Sequence, residues 1–296
     1  MTAAITDDQV RRYQSRGYLL LESFIDADWI ERLNARVAEI IDVSRTAEPG
    51  DWRFDTEPDH TPDNPRLRRV NSPVDVDPLF EEFSLDGPAT DIAEALLGPD
   101  VRFHHSKLNI KWHDGGEEVK WHQDIAFWPH TDFSPLTIGV YLRDVDDEMG
   151  PMGVVPGSHT GELFDLTTAD GAWSGSIRDD DLPRARVDDA DHLMGPAGSV
   201  TVHNCCAVHG SRPNRSSRMR PLLLQTYSRA DSYPLLGVGT NGLGTRRAHQ
   251  VVRGSAPAHL EVGGRRMPTA PDWYRGTYTS IFDVQQQSDH DGEGRG

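Results

Sequence analysis

The chain has 296 residues, 36% of them apolar, enough for one substantial core. Its formal charge of −17 argues against nucleic acid or an anionic membrane as a partner, and mildly against a highly phosphorylated substrate such as a CoA ester. No stretch resembles a signal peptide or a membrane span, and the two cysteines are adjacent at Cys205 and Cys206. A protein of the reducing cytoplasm is expected, acting as a monomer or homodimer on a small molecule.

In chain order, Thr6 is a good N-cap for a short helix through Arg16, stopped by Gly17, and Tyr18 to Ser23 reads as a strand. Asp26 then caps a helix from about Trp29 to Ile41, and polar, proline-containing sequence from Thr46 to Asn64 predicts a long loop. A further helix spans Pro88 to Leu97, ended by Gly98 and Pro99. From Val101 the pattern changes to short strands separated by Gly, Pro and Asp: 101–111, 118–127, 136–145, 153–155, 199–202 and 221–229. This predicts a mostly β fold with flanking α, a jelly-roll barrel with helices packed outside it. A single domain over 1–284 is expected, with its jelly-roll core at about 101–232. The acidic insert from Leu163 to Pro196, carrying Trp173, is expected to form a loop over the barrel mouth, and 285–296 a disordered tail.

Within that pattern stands Trp121-His122-Gln123-Asp124, an H-x-D pair. On a strand, side chains two apart share a face, so His122 and Asp124 would both point inward, and one later histidine would complete a 2-His-1-carboxylate facial triad for non-haem Fe(II). Three protein ligands leave positions open for a co-substrate and O2. Arg220 could hold a dicarboxylate co-substrate bidentately.

Competing assignments exist among the 13 histidines. His130-Thr131-Asp132 repeats the H-x-D pattern, but Pro129 and Pro135 bracket it and disfavour a central strand. His203 follows the alternating run 199–202 and competes with His209 for the distal ligand. His209 is preferred because Gly210 and Ser211 follow it, and the turn 213–217 would return the chain to a strand starting near Arg220, expected to lie beside His209. His159 sits in a Pro-Gly-Ser-His turn that suits loop hydrogen bonding, and His104, His105 and His113 suit structural roles. Gly237 to Gly242 matches G-x-G-x-x-G with Glu261 at about the right distance, but Pro234, Gly244, Gly254 and Pro257 remove the strand-to-helix context that a dinucleotide fingerprint needs. The only lysines, Lys107, Lys111 and Lys120, all precede His122 closely. They fit either a solvated strand face or contacts to an anionic ligand.

The stretch 121–124, the segment Gly150-Pro151-Met152 leading to Val155-Pro156-Gly157-Ser158-His159, and His209-Gly210-Ser211 with Asn214 and Arg220 together resemble the phytanoyl-CoA dioxygenase (PhyH) family, which includes ectoine hydroxylase. The resemblance covers roughly residues 5 to 232. It implies a double-stranded β-helix, with Fe(II) on His122, Asp124 and His209. The distal carboxylate of 2-oxoglutarate would lie on Arg220 and Ser211, with Asn109 helping to hold this co-substrate. It further implies hydroxylation of an unactivated C–H bond in a small metabolite, such as an amino-acid derivative or natural-product intermediate, with O2 consumed and succinate and CO2 released. Desaturation, epoxidation or cyclisation in the same site is the alternative, and a non-catalytic metal-binding jelly roll is a third reading. Trp121, Phe127, Trp128, Tyr141 and Lys107 are the expected walls of the substrate pocket.

Overall fold

The computed structural model describes residues 4–48, 50–113, 117–236, 245, 247–270 and 279–286. Helix α1 (Asp7–Arg16) begins with a reciprocal capping box between Thr6 and Gln9 and ends at Gly17 in the left-handed region, φ 79°. Strand β1 (Tyr18–Leu21) follows, then α2 (Ala27–Ser44), whose first turn is capped by the Asp26 carboxylate accepting from the Trp29 N–H. The apolar stripe Ile30, Leu33, Val37 and Ile40 fixes the face that α2 buries. The stretch expected as one loop in fact contains β2 (Phe54–Thr56), paired with β3 (Leu67–Asn71). Three helices then begin with proline in their first turn: α3 (Pro73–Val76), α4 (Pro78–Leu85) and α5 (Pro88–Leu97).

The barrel strands are β4 (Val101–Lys111), β5 (Val119–His122), β6 (Leu136–Tyr141), β7 (Met152–Val154), β8 (Asp191–Leu193), β9 (Val200–Asn204), β10 (His209–Ser211) and β11 (Arg220–Arg229). The larger antiparallel sheet runs β1-β9-β6-β11-β4-β3-β2, with β12 (Val251–Arg253) also on β4. The smaller runs β5-β10-β7-β8. A separate hairpin joins β13 (His259–Val262) to β14 (Arg265–Pro268). Alternation along the strands assigns two faces. On β11, Leu223 and Tyr227 join the core that the larger sheet shares with the helices, while Leu222 and Leu224 pack with Tyr141 on the other face. Tyr18, Met152, Val154 and Leu193 bring the two sheets together. The fold is the expected jelly-roll barrel with helices outside.

Several elements differ from their predicted extents. The strand expected over 118–127 stops at His122, because residues 124–126 turn into a 3-10 helix. The strand expected to reach Val145 ends at Tyr141. The insert 163–196 is more than a loop. It holds α6 (Leu182–Ala185) and β8, and its Phe164, Leu166, Ile177 and Ala185 form a second core with Val155 and Val208. Residues 285 and 286 close a helical turn, whereas the rest of the expected tail and the glycine-rich 237–242 lie outside the described residues.

Candidate metal centre

His122 and His209 are direct cross-strand partners on β5 and β10, with ring centroids 4.2 Å apart. Asp124 comes from the 3-10 turn just after β5, so it reaches the site by a change of backbone direction and not by strand alternation. Its Oδ1 lies 3.6 Å from His122 Nε2 and 3.8 Å from His209 Nε2. One ligand atom from each of the three buried residues falls within 4.8 Å of the others.

The tautomers are fixed from behind. His122 Nδ1 sits 2.7 Å from the Lys120 carbonyl oxygen and His209 Nδ1 sits 2.9 Å from that of Ala207. A carbonyl only accepts, so each Nδ1 carries a proton and each Nε2 is the atom that faces Asp124. Burial, reinforced by His203 and His122, holds His209 well below the ordinary histidine range, which keeps it neutral. Burial alone would push the Asp124 carboxyl up, but His209, His122 and His203 outweigh it and hold the group well below the usual carboxylate range. Two imidazole nitrogens and a carboxylate oxygen are the donor set that Fe(II) takes.

His203, the rival distal ligand, has another position. Its Nε2 is 3.2 Å from Asp124 Oδ2, and the Thr137 hydroxyl donates to the same oxygen at 3.2 Å. His203 therefore grips the far oxygen of the carboxylate and leaves Oδ1 to face the two histidines. His130 is buried with Nδ1 against the Trp128 carbonyl, 2.7 Å away, and stacks near His104 at 5.0 Å. His159 Nε2 contacts the Gln14 carbonyl oxygen at 3.1 Å, tying its turn to α1.

Arg220 does not stand beside His209 as the turn between them suggested. β10 and β11 belong to different sheets, so the two residues are not on neighbouring strands. Arg220 is 2% exposed, donates from Nη1 to the Gly150 carbonyl at 2.5 Å, and leaves Nε without a partner. Gly150 has φ 63°, and a Cβ there would fall 2.1 Å from the Arg212 carbonyl oxygen, which accounts for the glycine of the Gly-Pro-Met segment. Among the described residues no carboxylate lies within ion-pair distance of Arg220. A buried guanidinium left so is costly unless an anion joins it.

Sequence reasoning assigned no specific role to Lys111, the cross-strand partner of Arg220. Its Nζ donates to Ser211 Oγ at 2.7 Å, and burial, then the charge of Arg220, lowers its pKa to about 6. Inward alternation on β4 from Asn109 was the available signal, since Lys111 is two residues on. Asn109 itself accepts from Arg69 Nε at 2.9 Å. Asn214 shapes the turn before β11, donating to the Lys111 carbonyl at 3.1 Å.

A cleft of about 430 Å³ opens onto the triad, with Lys107, Phe127 and Trp128 among its walls together with Arg69, Asn71, Asp55 and Lys120. Two expected wall residues are elsewhere. Trp121 lies on the outer face of the smaller sheet, over Gly153 and Gly210, because alternation turns it away from His122. Tyr141 is fully buried, its hydroxyl donating to the Leu193 carbonyl at 2.7 Å. A larger groove of about 670 Å³ near α3 and α4 contains none of the triad residues.

A buried facial triad in a jelly-roll barrel, together with a buried arginine that no carboxylate neutralises, defines a non-haem iron oxygenase dependent on a carboxylate co-substrate. The phytanoyl-CoA dioxygenase (PhyH) family profile matches residues 13–222, and the chain belongs to that family. It is 32% identical over 239 residues to the probable alpha-ketoglutarate-dependent hypophosphite dioxygenase of Stutzerimonas stutzeri, covering 79% of this chain and 82% of that one. The ectoine dioxygenase of Stutzerimonas stutzeri strain A1501 is 26% identical over 244 residues, 78% of this chain and 79% of its own. In fold the chain is similar to EctD from S. alaskensis crystallised with bound Fe, with a TM-score of 0.68, 24% identity, and coverage of 86% of this chain and 88% of that one. The protein is an Fe(II)- and 2-oxoglutarate-dependent dioxygenase.

Proposed function

We propose that His122, Asp124 and His209 ligate the iron, and that Arg220, Ser211 and Lys111 hold the distal carboxylate of 2-oxoglutarate, with Asn109 on the same inward face of β4. The reaction is hydroxylation of a small metabolite: R–H, O2 and 2-oxoglutarate give R–OH, succinate and CO2. Bound iron supplies the centre at which 2-oxoglutarate and O2 are activated. The chain's own residues do the rest. His203 and Thr137 aim the Asp124 carboxylate, the carbonyls of Lys120 and Ala207 fix the imidazole tautomers, and Phe127 and Trp128 wall the cleft against water. Lys111 and Arg220 would supply two cations to one carboxylate.

The observation that carries this reading is the convergence of His122 Nε2 and His209 Nε2 on one oxygen of Asp124. Desaturation, epoxidation and cyclisation start from the same site and are separated by product analysis. No helix among the described residues is long and apolar enough to cross a membrane, and Cys205 and Cys206 are both buried and unlinked. Succinate formation is the test. Replacing His122, Asp124 or His209 by Ala should reduce Fe(II)-dependent succinate release to background while circular dichroism stays unchanged. Retained turnover in His209→Ala would move the distal ligand to His203.

A further inference from the structure

The chain carries only three lysines at a net charge of −17. Lys111 contacts Ser211, whereas Lys107 and Lys120 line the cleft that opens onto His122 and Asp124. The Lys107 ammonium stands 4.6 Å from the centroid of the Trp128 ring. Among the described residues no carboxylate reaches it within ion-pair distance. Arg69, on the neighbouring strand, spends its Nε on Asn109 and also lines the cleft. Against these three cations the cleft offers Asp55 and Asp124, and Asp124 belongs to the triad. The wall therefore has an excess of positive charge in a protein that is acidic overall.

We propose that Lys107 determines substrate specificity by binding the oxyanion group, a carboxylate or a phosphorus oxyacid, of a small anionic substrate held against Trp128. The proposal rests on the iron and 2-oxoglutarate reading above and extends it to the primary substrate. A ring face attracts an ammonium but leaves its donors unpaired, so the cation is complete only when an acceptor arrives. The co-substrate is a poor candidate for that acceptor. Lys107 and Lys111 are four residues apart on one strand, hence about 13 Å along it, too far for the short 2-oxoglutarate chain to engage both. With Lys111 committed beside Ser211 and Arg220, Lys107 remains for a second anion on the open side of the triad.

The test is calorimetric titration of the 2-oxoglutarate-saturated protein with acetate, methylphosphonate and the neutral acetamide. The two anion arms separate a carboxylate from a phosphorus oxyanion site. At least one anion should bind about tenfold or more tighter than acetamide, and Lys107→Met should remove that preference, while Lys107→Arg keeps it. The 2-oxoglutarate requirement of Lys107→Met should stay within about twofold of the unmodified protein. Equal binding of anions and acetamide, or a Lys107→Met variant that loses 2-oxoglutarate affinity and keeps the anion preference, overturns the proposal. Heat of binding does not depend on turnover, so failure of succinate formation in the unmodified protein would count against the iron reading and leave this result legible.

Discussion

At the scale of single residues, the site is set by what stands behind each functional atom. The Arg220 guanidinium has one carbonyl partner and an unpaired Nε, so a carboxylate in front of it forms charged hydrogen bonds that nothing else supplies. Arg220→Ala should raise the 2-oxoglutarate requirement about tenfold or more in succinate assays, and Arg220→Lys should recover little, since an ammonium lacks the two-pronged contact. An unchanged requirement in both variants would place the co-substrate elsewhere. Lys111 gives a pH signature. Its folded value of about 6 lies below the ordinary 10.5, so the free protein at neutral pH carries it mostly uncharged. The unfolded chain binds that proton more strongly, and this residue therefore favours the folded state progressively as pH rises from about 6 toward the ordinary lysine range. A bound carboxylate restores the charge, so 2-oxoglutarate binding near neutral pH should take up about one proton, seen as a buffer-dependent binding enthalpy that Lys111→Met removes. Proton release, or no buffer dependence, would contradict this. The convergence of the H-x-D pair with His209 was legible in sequence because few residue types make such a cluster and their order is distinctive. The role of His203 was not, since a histidine one strand away reads alike whether it binds metal or aims a carboxylate.

At the scale of elements, the smaller sheet is held in place by a tryptophan lying on glycines. Trp121 covers Gly153 and Gly210, and a Cβ on Gly210 would meet the Val119 carbonyl oxygen at 2.8 Å and Trp121 at 3.2 Å. Gly210→Ala should therefore push β5 from β10, lower stability by about 1–3 kcal/mol, and weaken iron binding by separating His122 from His209. Denaturant midpoints and metal titration check this, and a variant as stable and as tight as the parent would rule it out. The same packing shows why Trp121 was misread as a pocket wall. Strand alternation holds as far as His122 and sends the preceding residue outward, but the sequence gives no sign that β5 ends there. Glycine, proline and the alternating runs marked six of the eight barrel strands, all but β8 and β10, and the first two helices. They missed β2 and β3, because short strands rich in arginine and aspartate are set by pairing, β3 on β4 and β2 on β3, and not by local propensity. They also placed Arg220 beside His209, since a short turn between strands looks the same whether the second strand stays in its sheet or crosses to the facing one.

At the scale of the whole molecule, a strongly acidic chain places its three lysines on β4 and β5, two of them lining the cleft that opens onto His122 and Asp124. Lys111, Ser211 and Arg220, proposed above to hold the co-substrate, lie together, while Lys107 and Trp128 line that cleft. The insert 163–196 closes part of the cleft, its Gly175 lining it and its Trp173 meeting Phe127 edge-on at 5.2 Å between centroids. The central claim is that one iron joins His122, Asp124 and His209 and still has two adjacent positions for a bidentate 2-oxo acid. Anaerobic absorption spectroscopy tests it most directly. Adding 2-oxoglutarate to the Fe(II)-loaded protein should produce a visible charge-transfer band that saturates at one equivalent of iron, persists in Lys107→Met, and is missing in Asp124→Ala and His209→Ala. A band of full strength in either triad variant, or none in the unmodified protein, would contradict the assignment.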